Sequence, residues 1–337
     1  MSDELRNFAE KYLGDVKPSG GDDVLTRCPY HQATGHVNSP PFSFSVVKGV
    51  WNCFSCGETG NFVQLLRHLS LNPDFFKAEI TAARYAVSDK EKYDPLRPKA
   101  IARVEDTIPE RILGEFDMCP ETLVDDDGFS EATLQYFGVG FDVKHSRITF
   151  PMRDLTGSLV GISGRTVINQ NPRYKVYTSE YAAFGVAPGL HVVKGAVLWH
   201  ADSVYPRACF GPLSSPLVVV EGFKACMRVW DSGYENVVAL LGCAMTDDHL
   251  WILQRIGAPV ILMLDRNTAG VKGTKKVGEE LLKYLPVYVA QDYDGEQPSD
   301  LNEPEVLSAI RAHKSFLSWK LQQNNQAETA AQESETT

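Results

Sequence analysis

Two apolar runs of strand length, each ending on an acid, constrain this chain more than anything else in it. One is Pro216-Leu-Val-Val-Val-Glu221-Gly222, the other Val260-Ile-Leu-Met-Leu-Asp265-Arg-Asn267-Thr-Ala-Gly270. Aliphatic, β-branched runs of this length read as strands buried on both faces. Between them lie a helical pattern over 223–231, a strand over 237–241, and a helix opened by Thr246-Asp-Asp and closed at Gly257. A further helix over 271–285 stops at Pro286, and Val287-Tyr-Val-Ala290 reads as another strand. Strands alternating with helices predict a parallel sheet, with ligands at the carboxyl ends of its strands. Glu221 and Asp265 are therefore expected close together at one sheet edge. Two carboxylates there repel unless a cation lies between them, and hard divalent ions take oxygen ligands. Taken singly, either acid would pass for a solvated loop residue.

The pair is more specific than its members. Val-Glu-Gly followed some forty residues later by Leu-Asp-Arg-Asn-Thr-Ala-Gly resembles the TOPRIM fold of bacterial-type primases and topoisomerases. That family carries Glu-Gly after its first strand and Asp-x-Asp after a later one. The resemblance runs from Ser215 to Ala312.

At 337 residues with 43% apolar content, the chain is long enough for two or three cored domains. No run approaches the ~20 apolar residues of a membrane span, and the start MSDELRNFAEKYLG is too polar for a signal peptide. A soluble, cytoplasmic protein is expected, in the host cytoplasm if the replicon is viral. Seven cysteines, three of them clustered, argue for metal or free thiols over a disulfide scaffold. The net charge of −10 is unlike that of a nucleic-acid binder, but the charge is segregated. Residues 121–131 hold five acids and no base, whereas 143–178 hold six Lys/Arg against Asp154 alone.

After a short amphipathic helix over 3–13 comes Cys28-Pro-Tyr-His31 and, across a 21-residue gap, Cys53-Phe-Ser-Cys56. Two such pairs, each on a tight turn, suit one tetrahedral zinc ion. Residues 42–47 and 50–53 alternate as strands, with Lys48-Gly49 as their turn. His36 is a competing ligand with poorer spacing, and buried cysteines beside an unrelated histidine are the bland alternative. The other four cysteines, Cys119, Cys209, Cys226 and Cys243, are scattered singly and read as core.

The run CPYH…PPFSFSVVKGVWNCFSCGETGNFVQLL is similar to the Cys-His-Cys-Cys zinc ribbon at the front of bacterial and phage DNA primases, most specifically at Cys-Phe-x-Cys-Gly before Gly-Asn. Beyond a charged, proline-rich stretch, Arg147-Ile-Thr-Phe-Pro-Met-Arg-Asp and Ser158-Leu-Val-Gly-Ile-Ser-Gly-Arg165 resemble the primase segment between zinc ribbon and TOPRIM. On that resemblance Arg147, Arg153, Arg165, Arg173, Lys175 and Lys194 are the expected nucleic-acid and nucleotide contacts. Arginines on adjacent strands form a ridge suited to bidentate phosphate binding; a solvated strand face is the alternative. One family feature is missing: Asp125-Asp-Asp-Gly128 stands where primases carry an arginine.

The resemblance implies a multidomain α+β and α/β chain. A zinc ribbon over 1–75 is followed by a linker over 76–109 and a mixed α+β basic subdomain over 110–214. A TOPRIM parallel α/β sheet over 215–312 then precedes a short helix and a disordered tail over 313–337. The implied activity is that of a DNA primase, joining ribonucleoside triphosphates into short primers on a single-stranded DNA template. It implies one structural Zn²⁺ on Cys28, His31, Cys53 and Cys56, and catalytic Mg²⁺ or Mn²⁺ on Glu221 and Asp265. A replicative helicase would be a separate chain, since no P-loop lysine motif occurs. A topoisomerase would need a nucleophilic tyrosine in a further domain. The non-enzymatic alternative is a zinc-ribbon and TOPRIM binding protein acting as a loader or regulator. Two family acids are absent, with Asn267 at the second aspartate and Gln297 before Pro298. Asn267 still offers a weak carbonyl ligand. Asp300 is the favoured source of the missing charge, ahead of Asp292 and Asp294.

Overall fold

In the computed structural model, residues 4–19, 22–30, 41–89, 107–177, 194–291, 293 and 295–335 are described. His31, His36, Asp292, Asp294 and the linker stretch 90–106 lie outside them. The chain divides into two compact units, Met1–Pro212 and Leu213–Thr337.

The first unit begins with helix α1 (Glu4–Tyr12) and an antiparallel sheet in chain order. Its strands are β1 (Lys17–Pro18), β2 (Asp23–Thr26), β3 (Phe42–Ser45), β4 (Val50–Cys53) and β5 (Thr59–Asn61). The expected hairpin forms with Phe42 opposite Cys53 and Phe44 opposite Trp51, and Gly49 at its turn takes φ +64°. Asn61 caps helix α2 (Phe62–His68), accepting from the Gln64 N–H while the Gln64 side chain accepts from the Asn61 N–H. Helix α3 (Lys77–Asp89) carries Ile80 and Ala83 into the core formed by Leu5, Phe8, Phe44 and Phe62. Phe76, Ile80 and Ala83, in the stretch expected as linker, thus pack into the ribbon's own core.

The rest of the unit holds a 3₁₀ turn (Glu110–Phe116), α4 (Glu121–Asp125) and α5 (Glu131–Phe137). An antiparallel sheet follows, with β6 (Gly140–Asp142), β7 (Arg147–Arg153), β8 (Leu159–Thr166) and β9 (Tyr174–Val176) in that order, and then α6 (Ala201–Phe210). Strand β7 is an inner strand, buried from Arg147 through Met152.

The second unit is built on β10 (Leu217–Val220), α7 (Phe223–Asp231), β11 (Val237–Ala239), α8 (Asp247–Ile256) and β12 (Val260–Leu262). It continues through α9 (Thr268–Leu281), β13 (Val287–Val289), α10 (Glu303–Arg311), β14 (Lys314–Ser315) and α11 (Phe316–Glu335). The sheet order is β11-β10-β12-β13-β14, parallel except for the last strand. Strands β10 and β12 are wholly buried, as the sequence predicts for a sheet covered on both faces. Residues beyond Ala312 belong to this fold. Phe316 is buried against Gly278 of α9, where an added Cβ would come within 2.1 Å of its ring. The expected disordered tail is helical through Glu335; its Gln, Glu and Ala residues are good helix formers even without an apolar face.

Candidate active site

In the second unit, β10 and β12 are adjacent and parallel, with Leu217 opposite Val260 and Val219 opposite Leu262. That register brings the residues beyond their carboxyl ends together. The main-chain N–H of Asp265 donates to Glu221 Oε1 over 3.2 Å, and the Gly242 N–H donates to the Glu221 carbonyl over 3.0 Å. Gly270 has no alternative here: an added Cβ would meet the Asp265 carbonyl oxygen at 2.0 Å and Glu221 Oε1 at 2.8 Å. Burial pushes the Glu221 carboxyl up to about 7, with the Asp265 charge adding to it. Asp265 is pushed up to about 6, by burial first and then by Asp300 and Glu296. Repelling, half-buried oxygen donors of this kind fit a hard divalent cation, which would relieve the strain they place on one another.

Asp300 is thus one of the charges felt by Asp265, and Ser299 Oγ donates to Asp300 Oδ1 over 3.3 Å. Glu296, which the sequence does not single out, does the same; its carbonyl accepts the Arg266 N–H at 2.7 Å. The only signal for it in the sequence is its place among the acids of the loop after β13. Asn267 is engaged otherwise: its Oδ1 accepts from the Ala269 and Gly270 N–H groups, each at 3.0 Å, capping α9.

In the first unit, the sulfurs of Cys28, Cys53 and Cys56 all lie within 4.8 Å of one another, Cys28 and Cys56 being 3.9 Å apart. Zn–S bonds of ~2.3 Å in a tetrahedron put sulfurs ~3.8 Å apart. Burial raises the Cys53 thiol, but the N–H groups of Cys56 and Ser55 and the neighbouring thiols carry it below its usual range. Three converging thiols are the donor set of zinc. The fourth expected ligand, His31, lies outside the described residues.

The six residues expected as a basic ridge do not act as one surface. Arg147 is 3% exposed, and its guanidinium donates to the carbonyls of Gly164, Pro172 and Arg173 and to Gln170 Oε1. It ties an inner strand to its neighbours, which corrects the expectation of a phosphate ligand. Arg153 is corrected likewise. It forms a fork on Glu110, Nη1 to Oε1 at 2.6 Å and Nη2 to Oε2 at 3.1 Å, and donates to the Gly157 carbonyl. Arg67 of α2 donates to the same Glu110 at 2.8 Å. Burial alone would raise the Glu110 carboxyl, yet Arg153 and then Arg67 hold it below its usual range. Beside these, Asn61 Nδ2 donates to the Asp202 carbonyl and Gln64 Nε2 to Ser203 Oγ. The cap of α2 is thus joined to α6.

Arg165 and Arg173 do line one hollow, of about 420 Å³, but Asp126 and Asp127 lie on its wall. Acids of the Asp125-Asp-Asp-Gly128 run therefore share the hollow with the two arginines. Lys175 is half-buried on β9. The side chain of Lys194 is not described. Of the singly placed cysteines only Cys226 is core; Cys119 and Cys243 are exposed and Cys209 is half-buried.

Residues 9–93 match the CHC2 zinc finger family, and residues 215–290 match the Toprim domain family. The DNA primase of Deinococcus radiodurans is 28% identical over 298 residues, covering 77% of this chain and 49% of the relative. That of Clostridium acetobutylicum is 24% identical over 327 residues, covering 81% of this chain and 50% of the relative. The chain spans about half the length of these curated relatives. Among solved structures, the zinc-binding and RNA polymerase domains of the Aquifex aeolicus primase share the fold. The TM-score is 0.56 at 18% identity, covering 97% of this chain and 90% of that one. No described helix is long and apolar enough to cross a membrane. The chain thus carries a CHC2 zinc finger and a Toprim domain in this order, and the relatives that align across both are DNA primases.

Proposed function

We propose that the chain synthesises short RNA primers on single-stranded DNA by metal-dependent nucleotidyl transfer. The observation that carries this reading is the Asp265 N–H donating to Glu221 Oε1 at the carboxyl ends of two adjacent parallel strands. Two acids held by their own backbone at that edge form a preorganised anionic cradle. Mg²⁺ or Mn²⁺ bound there supplies Lewis acidity, lowering the pKa of an attacking 3′-hydroxyl and neutralising triphosphate charge.

The chain's own residues do the rest. The Asp265 N–H orients the Glu221 carboxylate, and the Asn267 cap fixes the turn between Asp265 and α9. Asp300 and Glu296 add negative charge around Asp265, standing in for the acids that Asn267 and Gln297 lack. Arg165 and Arg173 bind phosphate oxygens of template or nucleotide in their hollow. Cys28, Cys53 and Cys56, with His31 as the expected fourth ligand, would hold Zn²⁺ and so shape the ribbon that reads the template. A replicative helicase is the expected separate partner, and the cytoplasm the expected compartment.

The deciding experiment is incorporation of labelled ribonucleotide on single-stranded DNA with and without Mg²⁺ or Mn²⁺. Metal-dependent primers of discrete length are expected. DNA binding without incorporation at any metal concentration would leave a loader or regulator.

A further inference from the structure

Between the carboxyl ends of β12 and β13 and the helices α9 and α11, the second unit contains a cavity of about 280 Å³. Leu262, Leu264 and Val289, all buried, form part of its wall. Tyr293 and Trp319 also line it, each 7% exposed and so each largely enclosed. The Arg266 guanidinium lies 4.9 Å from the Tyr293 ring centroid and donates through Nη1 to the Tyr293 carbonyl. Three carboxamides, Gln291, Gln322 and Gln323, complete the polar lining. Gln291 is fixed by its Nε2, which donates to the Ala290 carbonyl over 2.8 Å. Gln322 is exposed at the mouth. The cavity shares Asp265 with the acidic pair, but Glu221 is not among its walls.

We propose that this cavity binds the base of a purine nucleotide, with ribose and phosphate at the mouth beside α11. The volume, about nine waters at ~30 Å³ each, has ample room for a fused bicyclic ring. Two aromatic walls suit a flat heterocycle. Carboxamides match the paired donor and acceptor edge of adenine, and an arginine matches the N7 and O6 acceptors of guanine. No cation is needed, which separates the cavity from the triphosphate site at Glu221 and Asp265.

The test uses the full chain in EDTA, so that the acidic pair cannot recruit nucleotide through metal. Adenosine, guanosine and cytidine monophosphates are titrated by saturation-transfer NMR and calorimetry. Saturable purine binding with a Kd of about 1 mM or tighter is expected, with cytidine monophosphate weaker. Gln322→Ala, at an exposed position that leaves the fold alone, is expected to weaken it about fivefold, as for one neutral hydrogen bond. Val271→Trp, which fills the cavity from α9, is expected to abolish it. Absence of saturable binding up to about 10 mM, cytidine binding as tightly as the purines, or wild-type affinity in Gln322→Ala would overturn the proposal. Loss of primer synthesis bears on the acidic pair and leaves this result unmoved.

Discussion

Asp265 reaches Glu221 through its backbone: the Asp265 N–H, and not its side chain, donates to Glu221 Oε1 over 3.2 Å. The two carboxylates are thereby neighbours without sharing a proton. Each is half-buried and each is raised, Glu221 to about 7 and Asp265 to about 6. The fold stores a repulsion that a divalent cation relieves.

That stored repulsion sets a pH dependence. Both folded-state values lie above the ordinary 4.5 and 3.8, so each group contributes stability that is complete below the ordinary value and lost as pH rises through the folded one. Without metal, the protein is expected to melt lower at pH 8 than at pH 5 on account of this pair. Solvent screening of half-exposed groups limits the difference to about 1 kcal/mol. Glu221→Gln should flatten the dependence, and Mg²⁺ should raise the pH 8 melting temperature. Calorimetric melts in EDTA showing the same slope for Glu221→Gln and wild type would refute this account.

The same pair predicts the activity losses. Glu221→Ala and Asp265→Ala are each expected to cut primer synthesis by about 100- to 1000-fold, the range of a lost transition-state contact. Affinity for single-stranded DNA should stay near wild type, since a carboxylate does not attract phosphate. Filter binding and nucleotide incorporation on the same preparations check this. Wild-type incorporation by Asp265→Ala would remove the catalytic reading.

The arginines separate by where they point. Arg153→Ala leaves the partly buried Glu110 with Arg67 beside it, and breaking a buried pair costs about 3 kcal/mol or more. The variant is expected to melt markedly lower. Arg173→Ala is exposed and should leave the melt unchanged while reducing the salt slope of DNA binding by about one. Neutralising Asp126 and Asp127 together should tighten DNA binding, because they share the hollow with Arg165 and Arg173. An unchanged salt slope in Arg173→Ala would exclude that hollow as a phosphate site.

Zinc is expected at about one ion per chain by elemental analysis. Cys53→Ser with Cys56→Ser should lose it and destabilise the core that Cys28 and Cys53 share with Trp51 and Phe42. His31→Ala tests the fourth ligand, and zinc content unchanged in it would assign that place elsewhere. Template binding should suffer more than metal-activated chemistry, since these ligands lie outside the Toprim unit.

Much of this architecture is legible from periodicity and spacing. The hairpin Phe42–Ser45 and Val50–Cys53, the two Cys-x-x pairs, and the strands ending at Glu221 and Asp265 are all local patterns. What the sequence hides is the long-range partner. Arg153 meets Glu110 from 43 residues away, and nothing near either residue announces the other. Arg147 carries one signal, its place at the head of the mostly apolar run Ile148-Thr-Phe-Pro-Met152, which is buried throughout and so calls for an arginine satisfied internally. Glu296 was hidden by its setting in a loop with several other acids, where charge alone does not say which one faces the site. The tail was hidden by composition, since a polar, repetitive segment can be disordered or helical.

Asn267 is where this chain departs from the Toprim pattern it resembles, and it yields the sharpest prediction. Its Oδ1 accepts from the N–H groups of Ala269 and Gly270, both at 3.0 Å, and so caps α9. An aspartate makes the same cap and adds a charge favoured by the positive end of the helix. It also restores a carboxylate two residues from Asp265, increasing the pull on a divalent cation. Asn267→Asp is therefore expected to keep the melting temperature and to lower the metal concentration for half-maximal activity about threefold to tenfold. Asn267→Ala loses the cap, at about 1 kcal/mol, without shifting the metal midpoint, since its oxygen is committed to the helix. Titrating Mg²⁺ and Mn²⁺ against incorporation for the three proteins separates the roles. A midpoint that moves in Asn267→Ala as well would make the native amide a metal ligand, and one that moves in neither would confine this position to the helix.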